Sequence, residues 1–557
     1  MRTLALPLLI SGLTLVACSN PGALRVGGDA AAGCATLAAP IEASKIGLPS
    51  GGATIDSATL MAPSALSVAE RGPTPAATIT PAAPQYCKVL GRIAPVDPKA
   101  PAIQFEVNLP TSWNGRSVQY GGGGFNGVLI TGLTLLPAAP YEKPSPLAQG
   151  FATVGTDSGH QNQPNQPPQV FALNDEALLN FAHASYKKVR DVSVDLMKRA
   201  YGRAPDKLYF VGSSEGGREG LTMAQRYPND FDGIFSRVPV IHWTGLQHTG
   251  LRDGFATMGE AWIRPAQVKL VHDAVLAACD AADGVADGIV SDPAGCRRRF
   301  DVARLRCSGT PTDQCLSDAQ VRAVQGLQSP LQLEVELANG LREYPGRGPS
   351  GENLTSFGPT GGWTAWWLGA AAPALPPQPN NGIAWFYGAG AIQYFYARDP
   401  SADLRNYRIS NHAARVREVS ALMDSTNPDL GAFAARGGKL VMLENMADYA
   451  QSPYAGIGYY EAVVGKMGRS SIDGFMRLYT APGVDHVGTG APANVDMLSA
   501  LVDWVERGRA PEGLTLVEQS AKPPFAVLRS RPLCQWPLVP RYKGGDVASA
   551  ASFACEP

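Results

Sequence analysis

Charge excess of either sign is absent from this chain of 557 residues, in which 47 lysines and arginines face 48 aspartates and glutamates. That balance gives no electrostatic footprint for nucleic acid. Beyond the N-terminus no apolar run reaches the roughly 18 residues of a membrane span, so a soluble globular protein is expected. Glycine and proline, 61 and 46 residues, make up about a fifth of the chain, below the roughly 25–30% of low-complexity sequences. No internal repeat is visible. Histidine is scarce at seven, which leaves few candidates for acid–base chemistry. Hydrophobic residues are plentiful at 45%, and the length exceeds the ~250–300 residues that one core usually supports, so two or more packed units are expected. Cysteine comes to nine, an odd number: eight can pair and one is left over.

The N-terminus accounts for the odd one. Met1 and Arg2 give a positive start, Leu4 to Ala17 is apolar or small, and the run ends Leu15-Val16-Ala17-Cys18. Residues 1–17 read as a secretory signal. The ending resembles a bacterial lipoprotein box, which would make Cys18 a lipidated first residue and residues 18–33 a flexible tether. An ordinary signal cleaved nearby, with Cys18 lost, is the alternative. Export would place the other cysteines where disulfides persist. Closeness in sequence favours the pairs Cys279–Cys296, Cys307–Cys315 and Cys534–Cys555, and Cys34 then pairs with Cys87 by elimination.

Strand-like runs "IQFEVNLP", "GRSVQYGGGG" and "FATVGTD" lie between Ile103 and Asp157. An amphipathic helix over Leu178–Tyr201 leads to the strand "KLYFVG", a Gly/Ser-rich turn and a helix through Tyr227. The alternation resumes with "KLVMLEN" at 439–445, a helix near Tyr459–Lys466, "FMRLYTAPG" at 475–483 and a last helix over Val495–Glu506. This is α/β wiring with a parallel sheet. Residues 34–240 and 436–557 are expected to form one core, with 241–435 inserted as a cap over the sheet's carboxyl edge.

The turn Gly212-Ser213-Ser214-Glu215-Gly216 is a G-x-S-x-G between a strand and a helix, the context of a nucleophile elbow. Ser214 is the motif's centre; Ser213 is its rival by register. An acid and a later histidine are then required beyond strand ends. Asp448 and His486 occupy such places, with Asp485 and Glu444 as rivals for the acid. Of the other histidines His160, in "TDSGH", has the strongest claim, and its bland reading is a structural loop residue. An oxyanion needs two backbone donors. The N–H of Glu215 follows the nucleophile, and Gly123 of "QYGGGGFNG" is favoured as the second.

The acidic loop "CDAADGVADGIVSDPAGC" puts Asp280, Asp283 and Asp287 in one short segment. Either a hard cation relieves their repulsion or the loop is a solvated acidic turn. An EF-hand does not fit this spacing.

The segments "WNGRSVQYGGGGFNG", "FATVGTDSGH", "YGRAPDKLYFVGSSEGGREGLTMAQRYPNDFDGI", "AACDAADGVADGIVSDP" and "MLENMADYAQSP…APGVDHVGTG" resemble the tannase and fungal-type feruloyl esterase family, which includes mono(2-hydroxyethyl) terephthalate hydrolase. The match spans nearly the whole mature chain. It implies an α/β-hydrolase fold with a large inserted lid domain, hydrolysis of aromatic-acid esters, and Ser214, Asp448 and His486 as triad. It also implies structural Ca2+ on Asp280, Asp283, Asp287 and the carbonyls of Val285 and Ile289. Relatives usually carry cysteines, joined as a disulfide, at the positions of Ser213 and Val487. Without that link this chain is expected to hold its triad by packing around Val487.

In the expected lid, Trp363, Trp366, Trp367, Trp385, Phe386, Tyr387, Tyr394 and Phe395 are concentrated, and one or two could stack an aromatic acyl group. No arginine lies between Trp363 and Ala397 to bind the free carboxylate of a terephthalate half-ester, which favours gallate or ferulate esters. The expected partner is a small aromatic ester, with membrane contact only through a lipid anchor. The competing class is a non-catalytic ligand-binding lipoprotein of the same fold.

Overall fold

The computed structural model describes residues 29–70, 77–354 and 361–557; Cys18 and the signal segment lie outside them. Ten strands form the central sheet: β1 (Ala53–Met61), β2 (Tyr86–Ile93), β3 (Ile103–Pro110), β4 (Arg116–Tyr120), β5 (Ala152–Thr156), β6 (Lys207–Ser213), β7 (Gly233–Arg237), β8 (Lys439–Asn445), β9 (Met476–Ala481) and β10 (Cys534–Gln535). Their order is β1-β2-β3-β5-β4-β6-β7-β8-β9-β10. From β5 to β9 neighbours run parallel, and antiparallel strands extend both edges. The parallel strands are apolar almost throughout because helices cover both faces; β7 and β9 are buried along their whole length.

The helices that position the site are α1 (Ser185–Tyr201), α2 (Glu215–Arg226), α3 (Trp243–Ala256), α4 (Ile383–Ala391), α5 (Pro453–Met467) and α6 (Met497–Arg507). The α1 helix stops at Gly202, whose φ of 74° supplies the left-handed cap that terminates a helix. Residues 241–435 enter between β7 and β8 and contribute no strand to the central sheet among the described residues. Within this insertion α3 packs on α4, and Trp243, Trp385 and Phe395 are buried together beside Phe125 of the core. Four disulfides join Cys34–Cys87, Cys279–Cys296, Cys307–Cys315 and Cys534–Cys555. The first ties the N-terminal helical turn to β2. Among the described residues no helix is long and apolar enough to cross a membrane.

Candidate active site

The β6 strand ends at the Ser214 turn, and the local sequence explains its sharpness. Ser214 has φ 61° and ψ −122°, a conformation that costs a non-glycine residue about 1–3 kcal/mol. Its N–H donates to the Arg237 carbonyl (3.0 Å), and its own carbonyl accepts from the Arg218 N–H (3.1 Å). Gly212 is forced by this geometry, since a Cβ there would lie 2.1 Å from the Gly216 carbonyl oxygen. The turn lifts Ser214 clear of the strand and starts α2 directly behind it.

Ser214, His486 and Asp448 converge from three strand ends. His486 Nε2 lies 2.9 Å from Ser214 Oγ, and His486 Nδ1 lies 2.7 Å from Asp448 Oδ2. Asp448 is fixed by the N–H groups of Ala450 and Gln451, which donate to its Oδ1 at 2.7 and 3.1 Å. A carboxylate accepting at Nδ1 selects the tautomer with a free lone pair on Nε2, facing the serine. The alternatives raised by the sequence are occupied elsewhere. Ser213 Oγ accepts from Arg237 Nη1 at 2.9 Å. Asp485 folds back on its own turn, its Oδ1 accepting from the N–H groups of Val487, Gly488 and Thr489. Glu444 is wholly buried and accepts from Gln451 Nε2; burial, and secondarily Asp448, pushes its carboxyl well above the usual range. His160 stacks on Phe171 at 3.7 Å away from the triad, and desolvation lowers its pKa to about 4.

The glycine loop sits against the start of α2. The Gly216 N–H donates to the Gly122 carbonyl (3.1 Å), and the Asn126 N–H donates to that of Gly123 (2.8 Å). Glu215 is the first residue of α2, so its N–H has no intrahelical acceptor and is available to a ligand. Sequence reasoning missed the group that holds this arrangement. Glu219 accepts from the Gly122 N–H (2.8 Å) and from Asn126 Nδ2 (2.6 Å), and burial raises its carboxyl above the ordinary range. Between Glu215 and Glu219 lies Arg218, fully buried, which donates to Glu215 Oε1 (2.7 Å) and to the carbonyls of Ala182 and Phe181. Charged residues in a glycine-rich helix read as solvent-facing; only the packing of α2 under the insertion reveals them as internal.

Aromatic rings surround His486. Trp366 and Tyr449 have centroids 6.0 and 6.3 Å from its ring, Trp366 meets Tyr387 edge-on at 6.0 Å, and Tyr387 meets Phe125 at 4.9 Å. Trp363 and Trp367 are instead buried in one apolar cluster with Tyr449, and Trp385 in another with Phe125. Val487 is 46% exposed, which corrects the expectation that packing around this side chain holds the histidine loop.

The acidic loop is organised by other partners. Asp280 accepts from the N–H groups of Asp287 and Gly288, and Asp287 pairs with Arg531. Asp283 Oδ1 accepts from the Val285 N–H, while its Oδ2 is buried with no partner. Among the described residues no group of three or more His, Cys, Asp or Glu side chains is gathered as a metal site.

Known proteins resemble this chain over nearly its whole length. It is 36% identical over 544 residues to an uncharacterized esterase of Agrobacterium fabrum, covering 95% of this chain and 93% of that one. It is 33% identical over 556 residues to the mono(2-hydroxyethyl) terephthalate hydrolase of Piscinibacter sakaiensis, covering 88% and 89%. The crystal structure of feruloyl esterase B from Aspergillus oryzae superposes with a TM-score of 0.74 at 24% identity, covering 94% of this chain and all of that one. The tannin acyl hydrolase of Aspergillus niger gives 0.68 at 22% identity, covering 94% and 96%. These two structures share the fold. The family model described as tannase and feruloyl esterase matches residues 87–556, and the chain belongs to that family.

Proposed function

We propose that this chain is an exported serine carboxylesterase that hydrolyses small esters of aromatic acids through an acyl-enzyme on Ser214. The observation that carries the reading is the hydrogen-bonded line from Ser214 through His486 to Asp448. His486 Nε2 takes the Ser214 proton as Oγ attacks the ester carbonyl, and Asp448 offsets the imidazolium charge. The N–H groups of Glu215 and Gly123 receive the oxyanion, each contributing about 3–4 kcal/mol. Collapse expels the alcohol, which takes its proton from His486, and a water activated by the same nitrogen then releases the acid.

An aromatic acyl group is favoured by Trp366, Tyr387 and Phe125, three rings in contact beside His486 and the glycine loop. Residues 241–435, which bring Trp366 and Tyr387 to the site, act as a lid. A feruloyl or galloyl ester is the preferred substrate. A terephthalate half-ester is the second reading, favoured by the relative of that activity at 33% identity. Export is supported by the four disulfides. A lipid on Cys18 belongs to the same proposal and is checked by the mass of the mature N-terminal peptide. Structural Ca2+ in the acidic loop stays a proposal, supported by the partnerless Asp283 Oδ2 and opposed by the Asp287–Arg531 pair.

The test is turnover of methyl ferulate, methyl gallate and mono(2-hydroxyethyl) terephthalate by the wild type and by Ser214→Ala. Serine-dependent hydrolysis of the first two above the third is expected. Absence of serine-dependent turnover on all three would leave the non-catalytic binding protein as the better reading.

A further inference from the structure

A buried cation sits between the two loops that carry Ser214 and His486, outside the triad. Arg237 ends β7, paired in register with Ser213 at the end of β6. It is only 5% exposed. Its backbone carbonyl receives the Ser214 N–H at 3.0 Å, and its Nη1 donates to Ser213 Oγ at 2.9 Å. Side chain and main chain thus both grip the nucleophile turn. The other end of the guanidinium reaches the histidine loop: a Cβ on Gly488 would lie 3.0 Å from Arg237 Nη2. Gly488 has φ 96° and belongs to the turn that Asp485 closes with three amide hydrogen bonds.

A guanidinium in so dry a place needs opposing charge. Desolvation lowers its pKa, and Asp448, Asp485, Tyr449 and Glu444 act in the opposite direction. Its Nε has no hydrogen-bond partner. The side chain next to His486 gives the loop little hold, Val487 being half exposed. Arg237 can neither attack nor accept a proton, so it acts through its charge and through the two turns it touches.

We propose that Arg237 is a positioning residue that sets the Ser214–His486 distance by bridging the nucleophile turn to the Gly488 turn. This rests on the triad reading. It predicts that the bridge matters when Oγ must transfer its proton, and matters little for holding substrate against the rings of Trp366 and Tyr387.

The full mature chain is tested with Arg237→Met, Arg237→Lys, Ser213→Ala and Ser213→Thr, each checked for an unchanged circular dichroism spectrum. Arg237→Met should lower kcat by about 10- to 100-fold with KM changed less than about two-fold, the pattern of a lost alignment. Arg237→Lys keeps the charge but not the fork, and should recover only part of the loss. Ser213→Ala should lower kcat by several fold, while Ser213→Thr, which keeps the hydroxyl acceptor, should restore it. Ser214 labelling by a fluorophosphonate should follow the same order. Labelling needs no natural substrate, so a failure of the ester reading would show as labelled but non-hydrolysing wild type. The Arg237 proposal would fail separately, if folded Arg237→Met labels and turns over at wild-type kcat, or if its loss lies in KM. Should Arg237→Met not fold, equal kcat for Ser213→Ala and Ser213→Thr would overturn it.

Discussion

Gly121→Ala and Gly123→Ala should behave in opposite ways although they lie two residues apart in one glycine run. A Cβ on Gly121 would fall 2.6 Å from Gly216 Cα and 2.8 Å from the Gly216 oxygen, both backbone atoms of the nucleophile helix. Ordinary contact begins at 3.4 Å, so loop and helix must part by 3.4 − 2.6 = 0.8 Å. Such a shift stretches the 3.1 Å bond from the Gly216 N–H to the Gly122 carbonyl and moves the Glu215 and Gly123 donors relative to each other. Overpacking of this kind costs about 1–3 kcal/mol of stability. A misplacement near 1 Å costs about 100-fold in rate, or about 2.7 kcal/mol in barrier height. At Gly123, by contrast, a Cβ meets nothing within 4 Å, and alanine keeps the N–H. Steady-state kinetics on an ester that the wild type hydrolyses, with thermal melts of all three proteins, make the comparison. We expect kcat down about 100-fold for Gly121→Ala and within about two-fold for Gly123→Ala. Equal kcat for the two variants would refute the reasoning, because the oxyanion donors would then not depend on the contact between loop and helix.

Asp448→Asn should lower kcat by about 10⁴-fold with geometry preserved, because the amide selects the wrong imidazole tautomer; a loss below ten-fold would point to another acid. Glu219→Gln leaves one of its two donors, the Gly122 N–H or Asn126 Nδ2, facing an amide donor and should reduce kcat, with KM little changed, when both are measured on the same ester. Breaking Cys34–Cys87 by Cys34→Ser together with Cys87→Ser removes a link across 53 residues of chain. Its chain-entropy contribution is about 4 kcal/mol, which should appear as a lower Tm, with the kcat of the folded protein unaffected. If the acidic loop binds calcium, a chelator lowers Tm and added Ca2+ restores it. An unchanged Tm would assign the loop's charge balance to Arg531 alone.

The sequence made five of the six parallel strands legible because each is a short apolar run next to a strong punctuation signal; β7, the short run "GIFSR", was not legible as a strand. "KLVMLEN" is β8, and "KLYFVG" lies in β6. The edge strands β1 and β2 were not foreseen, since β1 alternates buried and exposed residues only in its first half and carries no turn signature of its own. In the site, the proposed triad of Ser214, Asp448 and His486 stands at strand ends, where local sequence marks it. The supporting residues do not. Arg218, Glu219 and Arg237 are charged side chains whose burial follows from what packs on them in three dimensions, and neither spacing nor composition encodes that. The rivals Ser213 and Asp485 show the same limit. Their neighbours in the chain are Ser214 and His486 of the proposed triad, yet Arg237 and the Val487–Thr489 amides take their side chains elsewhere.

The central claim is that Ser214 becomes acylated. Intact-protein and peptide mass spectrometry after acid quench of the enzyme with an activated aromatic ester measures this directly. The account predicts a mass increase equal to the acyl group, carried on the peptide containing Ser214, that accumulates within one turnover and is absent in Ser214→Ala. Ester hydrolysis with no adduct in the wild type, or an adduct that persists in Ser214→Ala, would contradict it.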